Sequence, residues 1–253
     1  MFPKEHGAYG QLLLPIVTAL AIGRPGFAAA ALSAAAGCAF LTHEPLLVLL
    51  GQRGARAGRE LHQTARRWFA GFAVAAAVLG SAALLTASPE KRFAVVPSIA
   101  MAFVVFGVIR SGREHTIAGE AVSAIALASL AYPIGVWSSG SSRASLSCAA
   151  AFAAVFVVGV VCVHAVIAFT RRPPATAERV AGAAAAIGAA LGIFALTSVR
   201  ILEVVTPLAV LPACIAGLAL SIWPPSARRL RVIGWTLVST SVLTMVVLLA
   251  AFR

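Results

Sequence analysis

The feature that most constrains this chain is a succession of apolar segments, each about long enough to cross a bilayer, joined by short arginine-rich connections. A transmembrane helix needs about 20 mainly apolar residues to cross about 30 Å of hydrocarbon. Because backbone polar groups find no water inside lipid, such segments are expected to be helical. The nine segments run 8–23, 26–50, 69–88, 93–109, 117–137, 146–169, 180–198, 201–223 and 232–252.

The predicted fold class is therefore an all-α polytopic membrane protein, with about nine transmembrane helices in one bundle and residues 1–253 in a single domain. Eight helices are the alternative, because the fourth segment is short and contains Pro97. Only 11% of the residues are charged, whereas soluble domains carry about a quarter. This low value excludes a water-soluble enzyme. The basic residues that give the net charge of +12 lie between apolar runs. A membrane lipid, rather than nucleic acid, is therefore the expected partner.

The distribution of Lys and Arg predicts an orientation. The N-terminus and the connections after the second, fourth, sixth and eighth segments hold fourteen of these residues, and the opposite side holds six. Cytoplasmic connections of membrane proteins carry an excess of Lys and Arg. The chain is thus expected in the bacterial inner (plasma) membrane, with its N-terminus in the cytoplasm and its C-terminus outside.

The other ionisable residues collect on the same side. The chain has no Asp and no Asn, yet all five His and six of the eight Glu fall at or near the arginine-rich side. The charge rule for orientation counts Lys and Arg and does not account for His or Glu. We therefore predict a polar cavity that opens to the cytoplasm.

Two clusters near the start of the chain are candidates for this cavity. Glu5, His6 and Gln11 lie in and just before the first segment and are predicted to bind substrate. The alternative is an ordinary helix start, with Glu5 near the positive end of the helix dipole. His43 and Glu44 are predicted catalytic residues, since an acid and an imidazole at hydrocarbon depth usually serve function.

Pro45 directly follows this acid and is expected to kink or break the second helix, because proline has no amide proton. An ion pair between Glu44 and an arginine of the next connection is the structural alternative to a catalytic role.

Two further clusters follow the second and fourth segments. Arg53, Arg56 and Arg59 recur every third residue, so a helix would place them on one face, where their forked donors suit phosphate oxygens. The alternative is an interfacial helix that binds anionic lipid. In the stretch 110–120, Arg113 is a predicted substrate-binding residue, and His115 and Glu120 are predicted catalytic residues. His164 is a weaker candidate.

The opening stretch 3–15, which reads PKEHGAYGQLLLP, resembles the start of the YwiC-like bacterial membrane proteins. Residues 44–47 and 110–120 are also similar to positions of that family. In length and order of segments the resemblance extends over the whole chain.

A more distant resemblance is to the UbiA-type intramembrane prenyltransferases. It implies nine helices around a cytoplasm-facing cavity, with acid motifs after helices two and six that hold magnesium and a prenyl diphosphate. Here those positions offer His43 and Glu44, and Glu178 beside 171–174, but no Asp. The resemblance thus implies the architecture without the usual magnesium site, although isolated Glu oxygens are compatible with a divalent metal.

Three functions remain open from the sequence. The first is an enzyme that acts on a lipid or isoprenoid ligand, with Glu and His as acid, base or metal ligands. The second is a proton- or ion-coupled transporter, in which the same residues relay protons. The third is a non-catalytic membrane assembly factor. We rank the enzyme first, because transporters often contain repeats and paired broken helices, and the sequence shows one clear break.

Overall fold

The computed structural model describes residues 6–171, 176–223 and 230–253, and within these ranges it contains helices and no β-strand. A 3₁₀ helix, Pro89–Val95, joins the fourth and fifth of eleven α-helices. The α-helices are α1 (His6–Ile22), α2 (Phe27–Leu41), α3 (His43–Leu49), α4 (Ala55–Thr86), α5 (Val96–Arg110), α6 (Ile117–Ser129), α7 (Ala131–Trp137), α8 (Ser142–Arg171), α9 (Thr176–Ser198), α10 (Thr206–Ile222) and α11 (Leu230–Phe252).

Within the described residues, seven helical units are long and apolar enough to cross a membrane, and two apolar helices are shorter, Gly7–Ile22 and Thr206–Ile222. Together these units coincide with the nine apolar segments of the sequence, so the chain is an all-α polytopic membrane protein. The fourth segment is one of the seven. Pro97 does not interrupt its helix, because this proline lies in the first turn of α5, where a missing amide proton costs no hydrogen bond. This favours nine crossings over eight.

The third unit begins earlier than predicted. α4 has 32 residues and starts at Ala55, not near residue 69. At 1.5 Å per residue it is about 48 Å long, well beyond the roughly 30 Å of hydrocarbon. Its first turns are rich in Ala, Arg, Glu and Leu, which favour helix, so most of the arginine-rich connection is helical and extends past the apolar part.

Two membrane-crossing units are broken. α2 and α3 are separated at Thr42, and α6 and α7 at Leu130. Pro45 and Pro133 each follow the break by three residues. A proline cannot donate to the carbonyl four residues earlier, and its ring crowds that carbonyl, so the helical ladder is interrupted in the preceding turn. The predicted break beside Pro45 is confirmed, whereas the second break was not predicted.

The second break is tied to a neighbouring helix. Pro133 leaves the carbonyl of Ser129 without its usual donor, and the buried hydroxyl of Ser98 donates to that carbonyl at 3.1 Å. Ser98 belongs to α5, so this hydrogen bond joins α5 to α6. Satisfying a freed carbonyl with a serine from the next helix is how membrane proteins tolerate helix breaks.

The helix α8 forms the centre of the bundle and packs against α6, α7, α9 and α10. Its buried face includes Phe152, Val158 and Cys162. Small residues bring helices close: a Cβ at Gly217 would lie 2.6 Å from a methyl of Val158. Packing of this kind, through small residues, drives helix association in lipid, where burial from water contributes little.

The connections divide between two ends of the bundle. The polar end, as we call it, holds the start of α1, the α2–α3 break, the α5–α6 connection and the end of α8. The opposite end holds the end of α1 and the α7–α8 connection, which are joined where the Arg24 amide donates to the Ser138 carbonyl.

Candidate functional site

A cavity of about 590 Å³ lies at the polar end, between α1, α2, α3, α5, α6 and α8. Small-molecule sites in proteins usually measure about 300–1,000 Å³. The apolar wall is formed by Ala and larger side chains of four helices. They are Ala36, Ala39, Phe40, Ala102, Val105, Phe106, Ala126, Leu127, Leu130 and Val160.

Charged and polar side chains line the same cavity. The structure brings together Gln11, His43, Glu44, Arg53, Glu114, His115 and Glu120. Six of these residues were predicted to form the site. They come from four separate stretches of the chain, and the breaks and turns at the polar end place them around one space.

Glu44 and Arg53 form an ion pair with Nη2 and Oε2 2.5 Å apart. Glu44 lies in the first turn of α3, directly after the helix break, where the positive end of the helix dipole favours a carboxylate. Arg53 lies in the connection between Gly51 and Gly54, whose φ angles of 76° and 87° are left-handed and suit glycine. This ion pair is the structural alternative predicted for Glu44, although the pair also borders the cavity.

The loop that carries Arg53 is also held to α5. The side-chain amide of Gln52 donates to the carbonyl of Ile109 at 2.6 Å. Ile109 is one residue before the end of α5, where helix carbonyls lack partners in their own helix. The loop therefore bridges α3 and α5 across the mouth of the cavity.

Glu114 lies between two imidazoles. His43 Nε2 is 3.3 Å from Oε2, and His115 Nε2 is 3.2 Å from Oε1. The carboxylate is largely buried, and its Oε2 accepts no hydrogen bond because the contact with His43 lacks the required geometry. His115 is 64% exposed, His43 is 35% exposed and Glu114 is 11% exposed, so a buried carboxylate lies between two accessible imidazoles, and all three line the cavity.

The position of Glu114 depends on a tight turn before α6. Gly112 has a left-handed φ of 67°, and the hydroxyl of Thr116 caps α6 by accepting from the amide of Gly119 at 3.0 Å. Gly119 packs directly against the turn, because a Cβ there would collide with the carbonyl oxygen of Arg113. Only glycine at this position lets the turn lie flat on the helix and present Glu114 to His43.

A second carboxylate–imidazole pair joins α6 to α8. His164 Nε2 and Glu120 Oε2 are 2.9 Å apart. Glu120 lies in the first turn of α6 and lines the cavity, and His164 is the partner supplied by the central helix. A carboxylate that orients an imidazole is a common arrangement for acid–base chemistry.

Other predicted site residues lie outside the cavity wall. Arg56 pairs with Glu60 on the exposed surface of α4, and Arg59 and Arg113 are exposed. The three arginines of the connection do not share one helical face, because Arg53 precedes α4 and turns towards Glu44.

The first predicted cluster is described only in part. Glu5 lies outside the described residues. His6 begins α1, but its side chain is outside the described part of the structure.

Two residues were missing from the predicted site. Glu114, within the stretch 110–120, has no predicted role, and His164 is only a weaker candidate from the sequence, yet both contact predicted site residues. The signal for His164 was an imidazole within the long apolar helix α8, a placement that usually marks function. Glu114 could not be distinguished from a surface acid, because its burial depends on the turn at Gly112 and Gly119.

A metal centre is not formed by the residues described. No group of three or more His, Cys or Glu side chains in the described ranges is arranged to hold a metal ion. Glu114 and its two imidazoles contact one another instead.

Comparison with known proteins identifies one family. A family model described as "YwiC-like protein" matches residues 2–136, which covers more than half of the chain and includes α1 to α7 with most of the cavity. No curated protein and no solved structure matches. The predicted likeness beyond residue 136 stays a prediction, as does the resemblance to UbiA-type prenyltransferases.

Proposed function

We propose that this chain, which belongs to the YwiC-like protein family, is a membrane enzyme that carries out acid–base chemistry on the polar head of a lipid or isoprenoid. The observation that carries the proposal is one cavity in which an apolar wall meets two carboxylate–imidazole groups. A ligand with an apolar chain and a polar head fits both parts at once.

The packing of the helices supports entry of a chain from the bilayer. α5 packs on α6 and on the 3₁₀ helix, whereas α2 packs mainly on α4 and α7. Ala39 of α2 and Ala102 and Phe106 of α5 line the cavity and are nevertheless exposed. An opening between α2 and α5 would let an apolar chain enter the cavity from the bilayer.

The two carboxylate–imidazole groups would have different roles. His115, Glu114 and His43 line the cavity side by side, and a small shift that brings His43 into hydrogen bonding with Glu114 would let the three groups exchange protons with a bound head group. Glu120, held by His164, is the carboxylate on the other side of the head group. Gln11 and Arg53 would contact the ligand at the mouth, while Arg56, Arg59 and Arg113 would bind membrane lipid outside the cavity.

Localisation and orientation belong to this proposal. The arginine-rich polar end would face the cytoplasm of a bacterial inner membrane, with Arg253 outside. Single-cysteine labelling at Arg56 and Arg253 in intact cells tests this, and labelling of both positions from one side would contradict it.

A proton-coupled transporter is the second candidate, and one observation favours it. Both broken helical units contribute to the cavity, through Thr42 and His43 at one break and Leu130 at the other. Transporter sites are often built at such discontinuous helices. In that case the row from His115 to His43 would carry the coupling proton.

Ligand retention tests the proposal. The protein is purified in lipid nanodiscs and examined by native mass spectrometry for a bound lipid or isoprenoid. Ala102→Trp fills the cavity from α5, and Ala100→Trp on the exposed surface of the same helix is the matched control. We expect wild type and A100W to retain the ligand and A102W to lose it.

Equal retention in all three proteins would contradict a cavity-bound ligand. If retention behaves as expected, chemical change of the bound ligand supports the enzyme. Ligand-dependent proton uptake into sealed vesicles without chemical change supports the transporter.

A further inference from the structure

The charges of the cavity wall determine which polar head fits. Among its described residues the wall has three carboxylates, Glu44, Glu114 and Glu120, and one guanidinium, Arg53. These described residues thus bring two more carboxylates than guanidiniums to the wall. A cavity lined by one sign of charge attracts the opposite sign and repels its own.

The one arginine of the wall is already engaged. Arg53 contacts Glu44 through a charge-assisted hydrogen bond, a strong type of contact. Arg56 and Arg59, which the sequence suggested for phosphate, and Arg113, predicted to bind substrate, are exposed and do not line the cavity. Because Glu44 already balances the charge of Arg53, an anionic head would gain less from this guanidinium than from an unpaired one.

The acids, by contrast, offer hydrogen-bond acceptors. Glu114 lines the cavity, but its Oε2 is buried against His43 Nε2 at 3.3 Å. Glu120 is 38% exposed and is therefore the most accessible of the three acids. The hydroxyls of Ser98 and Ser123 add further polar groups between these acids and the apolar wall.

We infer that the polar head bound in this cavity is a hydrogen-bond donor, a hydroxyl or an amine on an apolar chain, and not a phosphate or carboxylate. This inference rests on the proposed function and specifies its substrate class. The donor is held by Glu120 from α6, with Glu114 positioned behind it by its two imidazoles. The arginine-rich connection between α3 and α4 then does not bind phosphate, as the sequence suggested, but closes the mouth of the cavity.

The test compares three probes with the same apolar chain, namely farnesol, farnesylamine and farnesyl phosphate, on the full chain in nanodiscs of neutral lipid. Affinity is measured by competition with a fluorescent prenyl alcohol. We expect the alcohol and the amine to bind at least about tenfold more tightly than the phosphate, since like-charge juxtaposition in a cavity is strongly unfavourable. The alcohol and amine arms show whether a neutral or a cationic donor is preferred.

Glu120→Gln keeps the shape of the side chain and removes its charge. We expect this variant to bind the amine more weakly and the phosphate more tightly than wild type. Arg59→Lys, on the exposed surface of α4 and outside the cavity, is the control variant, and it should leave the affinities of the three probes unchanged.

The outcomes separate the two proposals. If the phosphate binds best and Arg53→Lys weakens it, the donor-head inference is wrong while a cavity-bound amphipath remains. If no probe binds, or if Ala102→Trp leaves all binding unchanged, the proposed function itself is wrong.

Discussion

The two ends of the bundle are closed in different ways. At the opposite end, side chains complete backbone hydrogen bonds: Trp137 Nε1 donates to the Lys91 carbonyl at 2.8 Å, and Lys91 Nζ donates to the Val136 carbonyl at 3.3 Å. Arg253 likewise donates to the Ala21 carbonyl. These contacts satisfy helix ends and join neighbouring connections. A second cavity of about 440 Å³, lined by Glu203 and Phe252 among others, also lies at this end.

At the polar end, acids face bases and imidazoles around a hollow. Glu44, Glu114 and Glu120 each contact a cation or an imidazole, and all three line the cavity. Ionisable side chains at this depth are expensive in lipid and are not needed to cap helices. The ends thus differ in the chemistry of their lining, because three acids meet bases and imidazoles around the cavity of the polar end.

The largest effect on stability is expected from replacing a closely packed glycine at each end of the bundle. A Cβ at Gly119 would collide with the Arg113 carbonyl, and a Cβ at Gly23 would collide with the Ser138 carbonyl. We expect Gly119→Ala and Gly23→Ala each to lower the free energy of unfolding by about 1–3 kcal/mol, as overpacking does. Only Gly119→Ala should also lose ligand retention, because it displaces Glu114.

Thermal unfolding in nanodiscs and native mass spectrometry measure the two effects. Gly71→Ala is the control, since no atom lies within 4 Å of a Cβ there. Equal loss of ligand in the Gly119 and Gly23 variants would mean that the ends are not functionally distinct.

A smaller effect is expected from Trp137→Phe. This change leaves the Lys91 carbonyl at the opposite end without its donor, and we expect it to lower the free energy of unfolding by about 1–2 kcal/mol. Ligand retention should not change.

Glu114→Gln is the counterpart at the polar end, and there we expect little loss of stability, because a largely buried charge is removed.

Denaturant titration together with a turnover or proton-uptake assay distinguishes the two variants. Glu114→Gln is expected to abolish proton transfer, whereas Trp137→Phe keeps it. Full activity in Glu114→Gln would remove Glu114 from the proposed proton row.

The smallest effect is expected on the surface of α4. Arg56→Lys with Arg59→Lys should change neither stability nor ligand retention measurably, because the Arg56–Glu60 pair is highly exposed and exposed ion pairs contribute little.

Arg53→Lys should speed ligand release a few-fold, since a lysine cannot reproduce the geometry of a guanidinium. Fluorescent-lipid exchange measures the rate of ligand release from the wild type and from each variant. Identical rates would show that Arg53 does not contact the ligand at the mouth of the cavity.

Much of the site could be predicted because membrane depth restricts ionisable residues. Glu44 and Glu120 stood out in the sequence as acids within or beside apolar segments, and both line the cavity. Arg56 and Arg59 were grouped with Arg53 by their spacing alone. That grouping was wrong because a left-handed turn at Gly54 starts α4 after Arg53, and the turn separates their faces.

The sequence by itself determined the fold class, the number of apolar units and the side on which the polar residues collect. These properties follow from local hydropathy, since each segment of about 20 apolar residues must satisfy its own backbone inside lipid. Only the tertiary structure decided which acid meets which base. The pairing of Glu120 with His164 joins residues 44 positions apart, and the contact of His43 with Glu114 joins two separate connections. Such contacts depend on how helices pack and where prolines break them, and neither can be read from local hydropathy.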